Sequence, residues 1–263
     1  DLYVVNREQN NALYKNNGSG AFTEIACEAS IDNTDVGRSA SWIDYDLDGD
    51  FDLYVVNVGG NALYRNDGND SFTNIASGDI KNTGASWVSW ASSWADYDGD
   101  GDADVFVANG AESKNGQASA LITQASGTFT EASGSGISAS ATNAISAAAA
   151  DYDGDLDPDL YLVNSSFPGF EGSTLYRNDS DGISGIVVAP TRINAADGVG
   201  LTVQVFEGSK LLANTVIAGG SATPEIFVAT SGVGKLRIEL TTSDGSTSSQ
   251  TGVDSGQRVS VSP

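Results

Sequence analysis

Short apolar runs rich in β-branched and aromatic residues recur along the chain, and each begins on an aspartate. They read DLYVVN at Asp1, DLYVVN at Asp52, DVFVAN at Asp104 and DLYLVN at Asp159, at separations of 51, 52 and 55 residues. Six residues of this composition, bounded by polar and glycine-containing stretches, predict strands. A second run follows each: NALYKNN at Asn11, NALYRND at Asn61, SALITQA at Ser119 and STLYRND at Ser173. A third follows in three units, as AFTEIA at Ala21, SFTNIA at Ser71 and TFTEAS at Thr128, while SASWIDYD at Ser39, SSWADYD at Ser92 and SAAAADYD at Ser146 lead into the next unit. Four strands in each repeat of about 50 residues predict the blades of a propeller, stacked as an array.

Between the leading strand and the apolar run lies a nine-residue acidic loop, written three times: Asp44 to Asp52, Asp96 to Asp104 and Asp151 to Asp159. Five carboxylates on alternate residues repel one another unless a cation sits among them. Calcium takes about 6 to 8 oxygen ligands, and a loop with side-chain oxygens at positions 1, 3 and 5 and a backbone carbonyl at 7 supplies them. In the first loop Asp44, Asp46 and Asp48 take positions 1, 3 and 5, Gly49 makes the turn, Asp50 offers its carbonyl and Asp52 closes the shell. Asp96, Asp98, Asp100, Gly101, Asp102 and Asp104 repeat those roles. In the third loop Asp151, Asp153, Asp155, Asp157 and Asp159 keep their places, but Leu156 stands where the turn glycine is expected and Pro158 precedes the closing carboxylate. A side chain resists positive φ, so this loop is expected to bind more weakly or to turn differently. Two to three Ca²⁺ ions are expected, with Tyr45, Tyr97 and Tyr152 covering them.

The unit ADYDGDGDADVFVAN, followed by an LYRND-type strand and then FT, resembles the FG-GAP or VCBS repeat, the blade unit of integrin α-subunit heads and of many secreted bacterial proteins. The resemblance spans residues 1 to about 180 and implies a calcium-bearing β-propeller used in extracellular recognition. Residues 184–263 lose the acidic loops but keep Val, Ile and Leu runs alternating with Gly, Ser and Thr. Around Asn194 and Gly232 they resemble the small ASPIC/UnbV domain, although Ala195 and Ala196 precede Asp197 and Gly198 where that family has Asn-Arg. The expected organisation is therefore all-β: a partial propeller of three to four blades over 1–183, and a small β-domain over 184–263.

Composition narrows the function. A net charge of −23 with only 12 basic residues disfavours nucleic acid or an anionic membrane as partner, since phosphate binding draws on Lys and Arg. No apolar run is long enough to span a bilayer. The absence of histidine removes Ser-His-Asp and Cys-His catalysis and most zinc sites, and the conspicuous carboxylate pairs are already assigned to calcium, so no enzyme is expected. Cys27 is the sole cysteine and is expected to be a small buried side chain. Asp1 matches position 9 of an acidic loop, an opening in mid-blade expected of a processed product or of a piece of a longer secreted protein.

The expected function is extracellular or cell-surface recognition, adhesion or assembly, with calcium in a structural role and an extracellular protein, a glycan or further copies of the chain as partner. The alternatives are a lectin-like propeller and a subunit of an extracellular filament. Trp42 and Trp94 occupy matching positions before their loops and are expected to pack between blades. Trp87 and Trp90 have no aromatic counterparts in the other units and are the candidate ligand-binding residues.

Overall fold

The computed structural model describes residues 1–82, 88–110, 118–137, 143–165, 172–179, 185–190, 201–217, 226–230, 234–242 and 245–261. The four repeats become four antiparallel sheets. The first blade holds β1 (Leu2–Val4), β2 (Ala12–Asn16) and β3 (Phe22–Glu24). The second holds β4 (Gly37–Ile43), β5 (Asp52–Asn57), β6 (Ala62–Asn66) and β7 (Phe72–Asn74) in sequence order. The third repeats it with β8 (Val88–Ala95), β9 (Asp104–Gly110), β10 (Ala120–Ala125) and β11 (Thr128–Glu131), and the fourth with β12 (Ala144–Ala150), β13 (Asp159–Asn164) and β14 (Thr174–Tyr176).

The DLYVVN run is apolar at every position because both of its faces are buried between neighbouring blades. Side chains alternate across a strand, so Leu53 and Val55 of β5 pack with Tyr3 and Leu13 of the first blade. Tyr54 and Val56 point the other way, against Val105 and Val107 of β9. Phe106 and Ala108 then meet Leu160 and Leu162 of β13. At the two ends of the array the equivalent side chains are uncovered: Leu2 is 53% and Phe22 51% exposed on the first blade, Tyr161 and Leu175 each 47% on the fourth.

Each leading strand carries a bulge at one repeated position, between Gly37 and Ser39, between Ser89 and Ala91, and between Ala144 and Ser146. The extra residue is Arg38, Trp90 or Ile145. Trp90 thus has counterparts in the other units after all, in position though not in chemistry. Its ring lies 4.3 Å beneath the Arg38 guanidinium, and a Cβ on Gly110 would fall 2.7 Å from its indole nitrogen. Packing around the bulge accounts for Trp90, which is half-buried; Trp87 lies outside the described residues.

The strand that starts at Asp52, Asp104 or Asp159 carries an asparagine at or next to its end, Asn57, Asn109 or Asn164, that ties down the following turn. The backbone N–H of Asn57 donates to Asn61 Oδ1 and its side chain to the Gly60 carbonyl. Asn6 and Asn109 make the corresponding pairs with Asn11 and Asn10, and with Ser119 and Ala118.

Beyond the blades, β15 (Gly185–Pro190) pairs with β18 (Ile226–Ala229) and, in parallel, with β21 (Gln257–Val261). A four-stranded antiparallel sheet runs β17 (Lys210–Ile217), β16 (Leu201–Glu207), β19 (Leu236–Thr241) and β20 (Thr247–Val253). In β19 Leu236, Ile238 and Leu240 are buried while Arg237, Glu239 and Thr241 are half-exposed, and the buried set joins Val203, Val205 and Val253 in a core of its own. Neither the expected boundary at 183/184 nor Asn194 to Gly198 falls among the described residues. Cys27, expected to be buried, is exposed, because it sits in the turn that follows β3 rather than on a strand.

Candidate metal centre

All three acidic loops lie at the same end of the blade array, each joining the leading strand to the central one. Their tight course is set by two left-handed residues per loop. Position 6 is Gly49 (φ 102°), Gly101 (φ 94°) or Leu156 (φ 80°), and position 4 is Leu47 (φ 56°), Gly99 (φ 76°) or Gly154 (φ 86°). The third loop therefore turns as the others do, against the expectation drawn from Leu156, and the first loop carries its own non-glycine residue at position 4. A left-handed side chain costs about 1–2 kcal/mol, part of which a flexible glycine returns. Leu156→Gly is expected to raise the melting temperature by about 1–4 °C, read by scanning calorimetry; a fall would mean that packing of the half-buried leucine outweighs its backbone strain.

The position 1 carboxylates organise the loop backbone. Asp44 accepts from the N–H groups of Asp48 and Gly49, both at 3.1 Å. Asp96 accepts from Gly99, Asp100 and Gly101 at 2.8–3.1 Å, and Asp151 from Gly154 and Leu156. Asp48, Asp100 and Asp155 each accept from the N–H two residues on. The carboxylate of Asp102 turns away to the backbone of Ser126 at 2.7 Å, which suits the expectation that position 7 contributes its carbonyl.

The closing carboxylates form a cross-link that the sequence did not display. Asp52 accepts from Tyr45 N–H at 3.1 Å and from Asn66 N–H at 2.8 Å. Asp104 does the same with Tyr97 and Gln124, both at 2.8 Å, and Asp159 with Tyr152 and Asn178, both at 2.9 Å. Asp1 keeps one half of the arrangement through Asn16 N–H. The amides of Gln124 and Asn178 then donate to the carbonyls of Tyr45 and Tyr97 in the preceding blade, so each loop is clamped to its neighbour. Tyr45 and Tyr97 are buried, their rings packed among interblade residues, whereas Tyr152 is 53% exposed.

Carboxylate oxygens converge within 4.8 Å of one another in three groups: Asp44, Asp46 and Asp48; Asp96, Asp98 and Asp104; and Asp151, Asp153 and Asp159. Asp44, Asp52, Asp104, Asp151 and Asp159 are buried. Burial first, and neighbouring aspartates with it, push Asp44 up to about 6, Asp52 and Asp96 to about 7 and Asp104 to about 8. Asp157 rises to about 6 for the same two reasons. Carboxylates this close repel one another, and an all-oxygen donor set fits a hard cation. The third group already has guanidinium neighbours, Arg177 at 3.6 Å from Asp153 and Arg258 at 4.0 Å from Asp151.

Antiparallel blades of three or four strands packed face to face, with acidic loops along one rim, define a repeat protein of β-propeller type. The model of the FG-GAP-like repeat matches residues 1–55, 44–107 and 96–162, overlapping at the acidic loops, and the chain belongs to that family. No protein of curated function matches it. Among solved structures, a lectin from Agrocybe aegerita, described for specific recognition of non-reducing terminal N-acetylglucosamine, is 18% identical with a TM-score of 0.36. That overlay covers 85% of this chain and 65% of the lectin chain, and the fold described above rests on this chain's own sheets. No helix among the described residues is long and apolar enough to cross a membrane.

Proposed function

We propose that the chain is a secreted or cell-surface calcium-binding repeat protein acting in recognition, adhesion or assembly, with calcium in a structural role. The observation that carries this reading is the convergence of mutually repelling carboxylates at three equivalent turns, with at least one of them buried in each group. Calcium there supplies the counter-charge and pins each turn, fixing the loop rim that an extracellular protein or glycan would meet. Residues 184–263 form an ASPIC/UnbV-like domain after repeats of the FG-GAP or VCBS kind, and the chain is not an enzyme, its conspicuous carboxylates being committed to loop backbone and ion. Calorimetric titration of calcium into metal-stripped protein is expected to count three ions, the third bound most weakly because Arg177 and Arg258 already offer charge there. Absence of binding at millimolar calcium would overturn the reading.

A second reading, assembly with further copies, is favoured by the end faces. Leu2 and Phe22 hold the positions of Leu53 and Phe72, and Tyr161 and Leu175 those of Tyr54 and Leu63. Inside the array these two sets mate. Light scattering is expected to find head-to-tail association that Tyr161→Asp abolishes, and a monomer at every concentration would dismiss it. The lectin alternative through Trp90 draws less support, since Arg38 covers one face of that ring.

A further inference from the structure

The first acidic loop is met by a side chain from far along the sequence. Asn214 of β17 is 5% exposed, and its Nδ2 donates to Asp44 Oδ2 at 3.0 Å and to the Gly49 carbonyl at 3.1 Å. Its Oδ1 is buried and has no hydrogen-bond partner. An unsatisfied buried acceptor costs about 1–3 kcal/mol, and such an atom in a folded protein calls for a reason. The two ends of a carboxamide exchange by a half-turn of its terminal torsion. That turn would place an oxygen about 3 Å from Asp44 Oδ2, the spacing of adjacent ligands around one ion at roughly 2.3–2.6 Å. The cavity beside the amide, lined by Asp44, Leu47, Asp96, Leu212 and Thr215, leaves space for the amide to rotate.

We propose that Asn214 Oδ1 is a ligand of the cation held by Asp44, Asp46 and Asp48, so that this one ion bridges the C-terminal sheet and the blade array. The proposal rests on the calcium reading above and adds a residue to one of its sites. In the metal-free state the N–H end of the amide faces two bare oxygens and holds the same place as a hydrogen-bonded latch. In the loaded state the oxygen end faces the ion, which satisfies the acceptor that has no partner in the metal-free arrangement. The third loop is approached from the same C-terminal region by the cationic Arg258, which cannot ligate a cation.

The test is calcium titration of the whole chain by calorimetry, with Asn214→Leu and Asn214→Asp beside the parent. Asn214→Leu keeps the shape and removes the oxygen, and is expected to weaken one site by about 10–100-fold, the order seen when a group supporting a metal is lost, leaving the others unchanged. Asn214→Asp is expected to tighten that site while lowering the melting temperature of the metal-free protein, where the new carboxylate faces Asp44. Combined with Asp46→Ala, which disables the first loop, Asn214→Leu should change calcium binding no further. If the parent binds calcium and both Asn214 variants bind it identically, the bridge is refuted and the calcium reading stands. If the parent binds none, the calcium reading itself falls. Hydrogen exchange of the parent gives an answer that needs no variant: β17 should gain protection on adding calcium, and unchanged exchange there would also refute the bridge.

Discussion

Stripping calcium from the intact chain is expected to lower its melting temperature by about 15–30 °C. An ion at a hundred times its dissociation constant stabilises the folded state by about 2.7 kcal/mol, three sites act together, and each kcal/mol shifts a chain of this size by about 2–4 °C. The size of the effect depends on pH in a defined direction. Asp52, Asp96 and Asp104 have folded-state values raised by burial to about 7, 7 and 8, well above the roughly 3.9 of an unfolded aspartate. Without metal, the folded state therefore binds more protons than the unfolded one. The stability these groups contribute is fully present below about pH 4 and is lost as pH rises through about 7–8. Calcium requires the same groups deprotonated, so its contribution grows over that window. Metal-stripped protein should melt lower at pH 8 than at pH 5, while protein in about 10 mM calcium should not follow it down. A calcium-induced shift of equal size at both pH values would show that these buried carboxylates do not hold the ion.

Asp104→Ala is expected to be the most damaging single substitution in the acidic loops. Asp104 is fully buried and accepts from the N–H groups of Tyr97 and Gln124, with a longer contact to Asp98 at 3.3 Å. Alanine would strand those donors at about 1–3 kcal/mol each and remove a candidate ligand of the second ion. A fall of about 10–20 °C in calcium follows at the sensitivity expected for this size, and part of it should persist in metal-free protein, where only the hydrogen bonds are lost. Asp50→Asn makes the contrasting case. Asp50 is exposed, its expected contribution is a backbone carbonyl that the change leaves in place, and the melting temperature should stay within about 2 °C, as is usual for such surface changes. Comparing both variants by calorimetry with and without calcium separates ligand from hydrogen-bond acceptor.

Local pattern carried most of the fold into the sequence. Strand composition, the spacing of the aspartates and the repeat length are properties of neighbouring residues, and they located the blade strands and the loops. What depends on side chains far apart in sequence was not legible. Asn214 reaches Asp44 across 170 positions, and nothing around it in NTVIAGG marks it as different from other strand asparagines. The bulge escaped notice because its three occupants, arginine, tryptophan and isoleucine, share a position and no chemistry. The left-handed position 4 was visible in Gly99 and Gly154, yet Leu47 hid it in the first loop, since composition alone does not reveal a side chain held at positive φ. The roles of Gln124 and Asn178 were recoverable in principle, since an amide residue, Asn16, Asn66, Gln124 or Asn178, recurs at or near the end of the second strand in every unit.

The two rims of the blades obey different rules on length. On one rim each of the three acidic loops is nine residues, because the backbone hydrogen bonds to its first and closing aspartates leave no slack. On the other rim the asparagine that ends β5 bonds to a partner 4 residues on, its counterpart in the first blade to one 5 residues on, and Asn109 to one 10 residues on. Asn164 reaches a carbonyl 8 residues away. A fastening that holds the same at several spans lets the intervening segment lengthen without disturbing strand pairing or the acidic loops. Novelty in this architecture can thus accumulate on one side of the molecule, by insertion between fixed anchor points, while the acidic side remains a constant frame.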